Sequence, residues 1–138
     1  MGWNPFRRAP LLHVARDVGE GPVVVFIHGI ASSSLTWTYV VPLLQEDYRC
    51  ICIDLLGFGG SPIPEKAEYT LKEHVDAVAR TIDSLRIRGP FVLVGHSMGA
   101  LIAPRYAARH RTRVKRLVLV SPPIYVDPSA LSGERDRV

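Results

Sequence analysis

Phe91-Val92-Leu93-Val94-Gly95-His96-Ser97-Met98-Gly99-Ala100-Leu101-Ile102 constrains the fold more than any other stretch of the sequence. A short valine-rich apolar run reads as a buried strand. Gly-x-Ser-x-Gly follows at once, and an apolar pattern of helical spacing follows that. The stretch therefore predicts a strand, a sharp turn and a helix, with Ser97 at the apex. Reversing a strand into a helix within about two residues strains the apex backbone and crowds the flanking Cβ positions. Gly95 and Gly99 remove side chains where strand and helix approach, which leaves the Ser97 hydroxyl clear of the sheet. The N–H of Met98, in the first helical turn, is then free to face an oxyanion, aided by the positive end of the helix dipole.

The rest of the chain is patterned around the same kind of unit. Residues 1–10 read as a lead-in, Leu11–Val14 as a short strand, and Gly19-Glu20-Gly21-Pro22 as a turn. Pro22–Ile27 is a continuous apolar run of the kind found inside a parallel sheet, ending at His28-Gly29-Ile30-Ala31. Ser32-Ser33-Ser34 then opens an expected helix over Leu35–Gln45. Tyr48–Ile53 is a second apolar strand, and it runs into the glycine-rich Asp54-Leu55-Leu56-Gly57-Phe58-Gly59-Gly60-Ser61-Pro62 at the carboxyl end of the strand, where open α/β sheets bind ligands. Leu71, Val75, Val78, Ile82 and Leu85 form one apolar helical stripe, with Lys72, Glu73, Asp76, Arg80 and Asp83 expected on the opposite side. The elbow helix should span Met98–Arg109, locally kinked at Pro104, and Val114–Val120 reads as a further buried strand. Alternating strands and helices predict an α/β protein with a mostly parallel sheet flanked by helices on both faces.

Several function classes are disfavoured by composition. No apolar run approaches the ~20 residues needed to span a bilayer, and the N-terminus lacks the apolar region of a signal peptide. The net charge of +4 invites a nucleic-acid reading, but six of the 17 basic residues lie between Arg105 and Arg116, at a helix C-terminus, with no interleaved aromatic stacking surface. Cys50 and Cys52 are two apart on one strand, so they share a face and are badly placed to bridge each other. They read as buried reduced thiols of a cytoplasmic protein, with no metal site and no cofactor implied.

Taken together, these residues resemble the α/β-hydrolase family, from about Leu11 to Pro123. His28-Gly29 is similar to the family's oxyanion loop after its third strand, Asp54–Ser61 to the loop after its fourth, and Gly95–Gly99 to its nucleophile elbow. Tyr69-Thr70-Leu71 and Ser121-Pro122-Pro123 are similar to esterase, carbon–carbon-bond hydrolase and cofactor-free haloperoxidase-like members, while Leu56 departs from the proline or arginine often found there. The resemblance implies Ser97 as nucleophile, the backbone N–H groups of Met98 and Ile30 as oxyanion donors, and His28, Gly29, Gly95, His96 and Gly99 as support. It also implies a small-molecule acyl substrate, hydrolysed through an acyl-enzyme. Relatives that open epoxides or displace halide carry aspartate at the elbow, so Ser97 argues against both reactions.

A serine nucleophile needs a histidine and an orienting acid, which in this family follow the sixth strand. The only histidine after Ser97 is His110, at the far end of the elbow helix and roughly 18 Å from the serine at 1.5 Å per residue. His28, on the oxyanion loop, is read as a brace in preference to a base; His13, His74 and His96 are read as structural or solvated. Asp127 is a weak candidate acid in a segment, 124–138, expected to begin a lid. The chain is therefore expected to be one partial hydrolase core over 1–138, cut after the sixth strand and inactive by itself. A non-catalytic half-domain is the alternative. It would self-associate or pair with a partner along the open edge of Val114–Val120. An acyltransferase sharing Ser97 is a third reading.

Overall fold

Alternating side chains of the central strands build two cores. A computed structural model describes residues 8–123. Most of the expected lead-in lies outside those residues, as do Asp127 and the whole of 124–138. The strands are β1 (Val14–Val18), β2 (Val23–Ile27), β3 (Arg49–Ile53), β4 (Phe91–His96) and β5 (Val114–Val120), and the helices are α1 (Val41–Leu44), α2 (Leu71–Ser84) and α3 (Gly99–Arg109). Val25 and Ile27 of β2 and Ile51 and Ile53 of β3 point to one face, against Val75, Val78 and Ile82 of α2 and Ile102 and Tyr106 of α3. Val24, Phe26, Cys50 and Cys52 point to the other, against Trp37 and Val41. This period-two division is why both strands read as unbroken apolar runs.

The sheet order is β1-β3-β2-β4-β5. β2 pairs in parallel with β3 and with β4, and β4 in parallel with β5, so Val24 faces both Cys50 and Val92 in register. β1 runs antiparallel to β3, so the sheet is mixed and not wholly parallel. β1 also begins at Val14, where the apolar pattern had placed its end. Leu12 is instead buried ahead of the strand, with its N–H donating to Thr81 Oγ1 at 2.9 Å. Five strands are described, so β5 is the fifth strand here, where the resemblance implied a sixth.

The other departures have local causes. The expected helix over Leu35–Gln45 is split into a 3₁₀ turn at Ser34–Trp37 and the short α1. Pro42 has no N–H to continue a helix and is tolerated only in a first turn, so it starts a new one. α3 begins at Gly99 and runs through Pro104 as one helix. Glu73 is buried, not solvated: its carboxylate accepts the N–H groups of Glu68 and Tyr69 at 3.1–3.2 Å, while Thr70 Oγ1 accepts Glu73 N–H and caps α2. β5 is an edge strand rather than a buried one, with a described partner only in β4; Leu117, Val118, Leu119 and Val120 are 37–43% exposed.

Candidate active site

Ser97 lies between β4 and α3 with φ +55°, a left-handed conformation that costs a non-glycine residue about 1–3 kcal/mol. Surrounding contacts hold it there. Its N–H donates to Val120 O at 3.0 Å, and its carbonyl accepts from Ala100 N–H at 2.9 Å. A Cβ on Gly95 would stand 2.2 Å from Gly99 O, so strand and helix can meet at this angle only if position 95 has no side chain. Behind Ser97 lies the loop after β2. A Cβ on Gly29 would come 2.8 Å from Ser97 Cβ and 3.3 Å from its Oγ, so this loop passes directly against the serine.

Ile30 and Met98 therefore flank Ser97 from two different loops. Among the described residues, neither backbone N–H takes part in a hydrogen bond. Both residues line a cavity of about 290 Å³ whose other described walls are Gly57, Phe58, Tyr69 and His74. Three of these walls come from one turn-rich segment. Tyr69 adopts φ +56° and presses its ring against Gly57, where a Cβ would meet it at 2.7 Å.

The loops around the serine are tied from beneath. His28 is fully buried: its Nε2 accepts from Leu55 N–H at 2.8 Å, and its Nδ1–H donates to Gly29 O at 2.7 Å. Both ring nitrogens are thereby occupied, and the tautomer is set by the Leu55 donor. Burial lowers the His28 pKa, and that effect outweighs the Gly29 carbonyl and the nearby Asp54 carboxylate. An imidazole held neutral with no free nitrogen is a brace and has no lone pair to offer Ser97.

Asp54 performs a parallel task that its sequence position did not disclose. One carboxylate oxygen accepts from Ser34 N–H at 2.8 Å and the other from Gly60 N–H at 3.0 Å, joining the loops after β2 and β3. Burial pushes the Asp54 carboxyl up, but the Gly60 and Ser34 donors and nearby His28 prevail and hold it below its ordinary pKa. An acid standing between an apolar strand and a glycine-rich loop was the available signal.

The remaining histidines are dispersed. His96 packs edge-on against Trp37, in the core on the other face of the sheet. His110 stacks on Tyr106 at the end of α3 with ring centroids 4.4 Å apart. The His13 ring lies against Gly60. His74, expected to be structural or solvated, is only 2% exposed and lines the cavity. Among the described residues no three of His, Cys, Asp and Glu cluster as metal ligands, and no helix is long and apolar enough to cross a membrane.

A serine at the strained apex between a parallel strand and a helix, backed by a glycine-bearing loop from the neighbouring strand, defines the elbow class of α/β proteins. Comparison with known proteins agrees. The profile described as alpha/beta hydrolase fold matches residues 22–138, and the chain belongs to that family. It is 46% identical over 112 residues to "Probable lysophospholipase BODYGUARD 4" of Arabidopsis thaliana, covering 80% of this chain and 26% of that protein. Among solved structures it is similar to an esterase of Exiguobacterium antarcticum (30% identity, TM-score 0.74, 80% of this chain and 41% of that one). An ancestral haloalkane dehalogenase also matches (35% identity, TM-score 0.73, 78% of this chain and 37% of that one). The chain thus spans about a quarter of the length of its plant relative.

Proposed function

We propose that Ser97 is the nucleophile of a serine hydrolase acting on an ester, thioester or related acyl substrate. The observation that carries this reading is Ser97 held at φ +55° with the Gly29 loop packed against its side chain, next to Ile30 and Met98, two cavity-lining residues whose backbone N–H groups have no partner among the described residues. In the first step Ser97 Oγ bonds to the acyl carbon and its proton passes to a base. The bond to the leaving group breaks, and that group takes up the proton. Water then resolves the acyl-enzyme in the same way. The developing oxyanion would sit against Met98 and Ile30, where preorganised donors contribute a few kcal/mol. The plant relative's name supports a lipid ester as substrate class, and a serine rather than an aspartate at the elbow favours acyl transfer over dehalogenation.

In this reading the base does not come from the described residues. His28 is occupied at both nitrogens, His96 and His110 are packed against aromatic rings elsewhere, the His13 ring lies against Gly60, and the cavity that His74 lines does not have Ser97 among its described walls. The 138-residue chain alone then turns over esters several orders of magnitude more slowly than a complete triad. A fluorophosphonate probe with mass mapping tests both points. Slow labelling confined to Ser97, accelerated by added imidazole and lost in Ser97→Ala, is the expected result. An adduct elsewhere, or none even with imidazole, overturns the nucleophile assignment, and full labelling within minutes overturns the missing base.

The exposure of Leu117–Val120 on β5 favours a second reading, in which the chain is a half-domain that pairs along that edge with another copy or a partner. Light scattering of the purified chain tests the first form of this reading, because a monodisperse monomer leaves no room for edge pairing between copies and leaves only pairing with a different partner.

A further inference from the structure

Charge is divided unevenly along the chain. Residues 1–83 hold seven Lys or Arg against ten Asp or Glu, whereas 84–123 hold eight Lys or Arg and no acid. The fold gathers six of those eight at the amino-terminal ends of β4 and β5. Arg86 and Arg88 lie in the connection from α2 to β4, Arg111 and Arg113 in that from α3 to β5, and Lys115 and Arg116 at the start of β5. The two connections are tied together. Arg113 O accepts from Phe91 N–H at 2.9 Å, and Arg113 Nη1 donates to Ile87 O at 3.1 Å and to Gly89 O at 3.4 Å. All six but Arg113 are exposed. None is in an ion pair among the described residues, where the pairs are Arg49–Asp17, Lys72–Asp76 and Arg109–Asp76. Asp83, the nearest acid in sequence, forms no described pair either. Holding like charges together costs stability that an anionic partner would restore. The α3 dipole does not account for the cluster, because Lys115 and Arg116 lie on β5.

The cluster runs directly into the edge of β5 that has no described partner, where Leu117–Val120 are 37–43% exposed. We propose that this edge receives an extended acidic polypeptide, which pairs with β5 as a further strand. Its apolar side chains would lie beside Leu117–Val120 and its carboxylates beside Lys115, Arg116 and the arginines of the two connections. This deepens the half-domain reading and rests on it for the edge being open. Each feature excludes a rival. A bilayer or a nucleic acid answers the charge but cannot pair with the N–H and C=O groups of a strand edge. A second copy answers the edge but not the charge, because its own Val114–Val120 carries no acid. Arginine, five of the six, binds carboxylates as a two-pronged donor. Ser97 follows the other end of the six-residue β4, about 20 Å away, so a strand held here leaves the serine open.

The test is fluorescence anisotropy of labelled nine-residue peptides added to the 138-residue chain. Each has three glutamates joined to alternating valine and threonine, with the glutamates at the amino end in one and at the carboxyl end in the other, to cover both strand directions. One of the two is expected to bind about tenfold more tightly than its lysine counterpart, and to lose about that factor in the double variant Arg86→Glu, Arg88→Glu. N-methylation of alternate valines, which blocks strand pairing and needs no variant, should also cost about tenfold. No binding by either peptide, binding unchanged by the double variant or by N-methylation, or tighter binding of duplex DNA or phosphatidylserine vesicles would each overturn the proposal. A dimer by light scattering without peptide binding keeps the open edge and sinks only the acidic partner. Peptide binding that N-methylation leaves unchanged removes the support for edge pairing as well.

Discussion

A Cβ on Gly99 would stand 2.3 Å from the carbonyl oxygen of Ile27, closer than any real contact permits. The start of α3 is therefore packed against the end of β2, and this contact fixes how the elbow meets the loop that carries Ile30. Gly99→Ala forces backbone against backbone, which cannot relax as a flexible side chain would. The expected cost is about 2–3 kcal/mol, in the range of overpacked cores. Urea unfolding measures it, and a loss under ~0.5 kcal/mol would mean that the two segments are not locked together.

Ser97 carries strain that glycine would relieve. A left-handed conformation costs an L-residue about 1–2 kcal/mol, so Ser97→Gly should be more stable than Ser97→Ala by about 1 kcal/mol after glycine's greater freedom in the unfolded chain is subtracted. Both variants lose the hydroxyl, so the comparison isolates the backbone. An alanine variant as stable as the glycine variant, by denaturant midpoint, would show that position 97 is unstrained.

How far the sequence disclosed these features depended on how local their causes are. β2, β3 and β4 were legible because burial on both faces writes itself as an unbroken apolar run, and α2 because Val75, Val78 and Ile82 keep one face. The elbow was legible because the close approaches at Gly95 and Gly99 demand particular residues at fixed spacing. Pro42 carried a visible warning that the helix over 35–45 would break. Glu73 and His74 were not legible. Their burial follows from the Tyr69 turn folding back over the start of α2 and from the cavity wall, and neither shows in the periodicity of the helix. The direction of β1 and the exposure of β5 depend on which strands lie beside them, and apolar content does not record that.

Cys50 and Cys52 should be inert in the folded protein. Both are fully buried against the Trp37 face; burial pushes the Cys50 thiol up, and burial together with Cys50 pushes Cys52 up to about 12. Since the thiolate is the reactive form, a disulfide reagent at pH 8 should modify neither cysteine in native buffer and both in denaturant. Rapid modification of the native chain would place at least one thiol outside the core.

Stability should fall as the solution is made mildly acidic, and histidines should cause it. Burial lowers the pKa of both His28 and His74 from the ordinary 6.5, so below that value the unfolded chain binds protons that the folded chain refuses. Their contribution to stability is complete above about pH 6.5 and is lost as pH falls toward the folded-state values, by at most about 1.4 kcal/mol per pH unit for each. Asp17, Asp54 and Asp76 have pKa values lowered from 3.8, so their contribution is lost only at more acidic pH, and the two windows separate. Urea unfolding at pH 7.5, 6.0 and 5.0 reads the slope. His28→Gln, whose amide oxygen can still accept from Leu55 N–H, should reduce that slope by up to one proton while retaining the fold. A slope unchanged in this variant would mean that His28 is as free to take a proton in the folded protein as in the unfolded chain, and the brace between the two loops would have to be assigned to Asp54 alone.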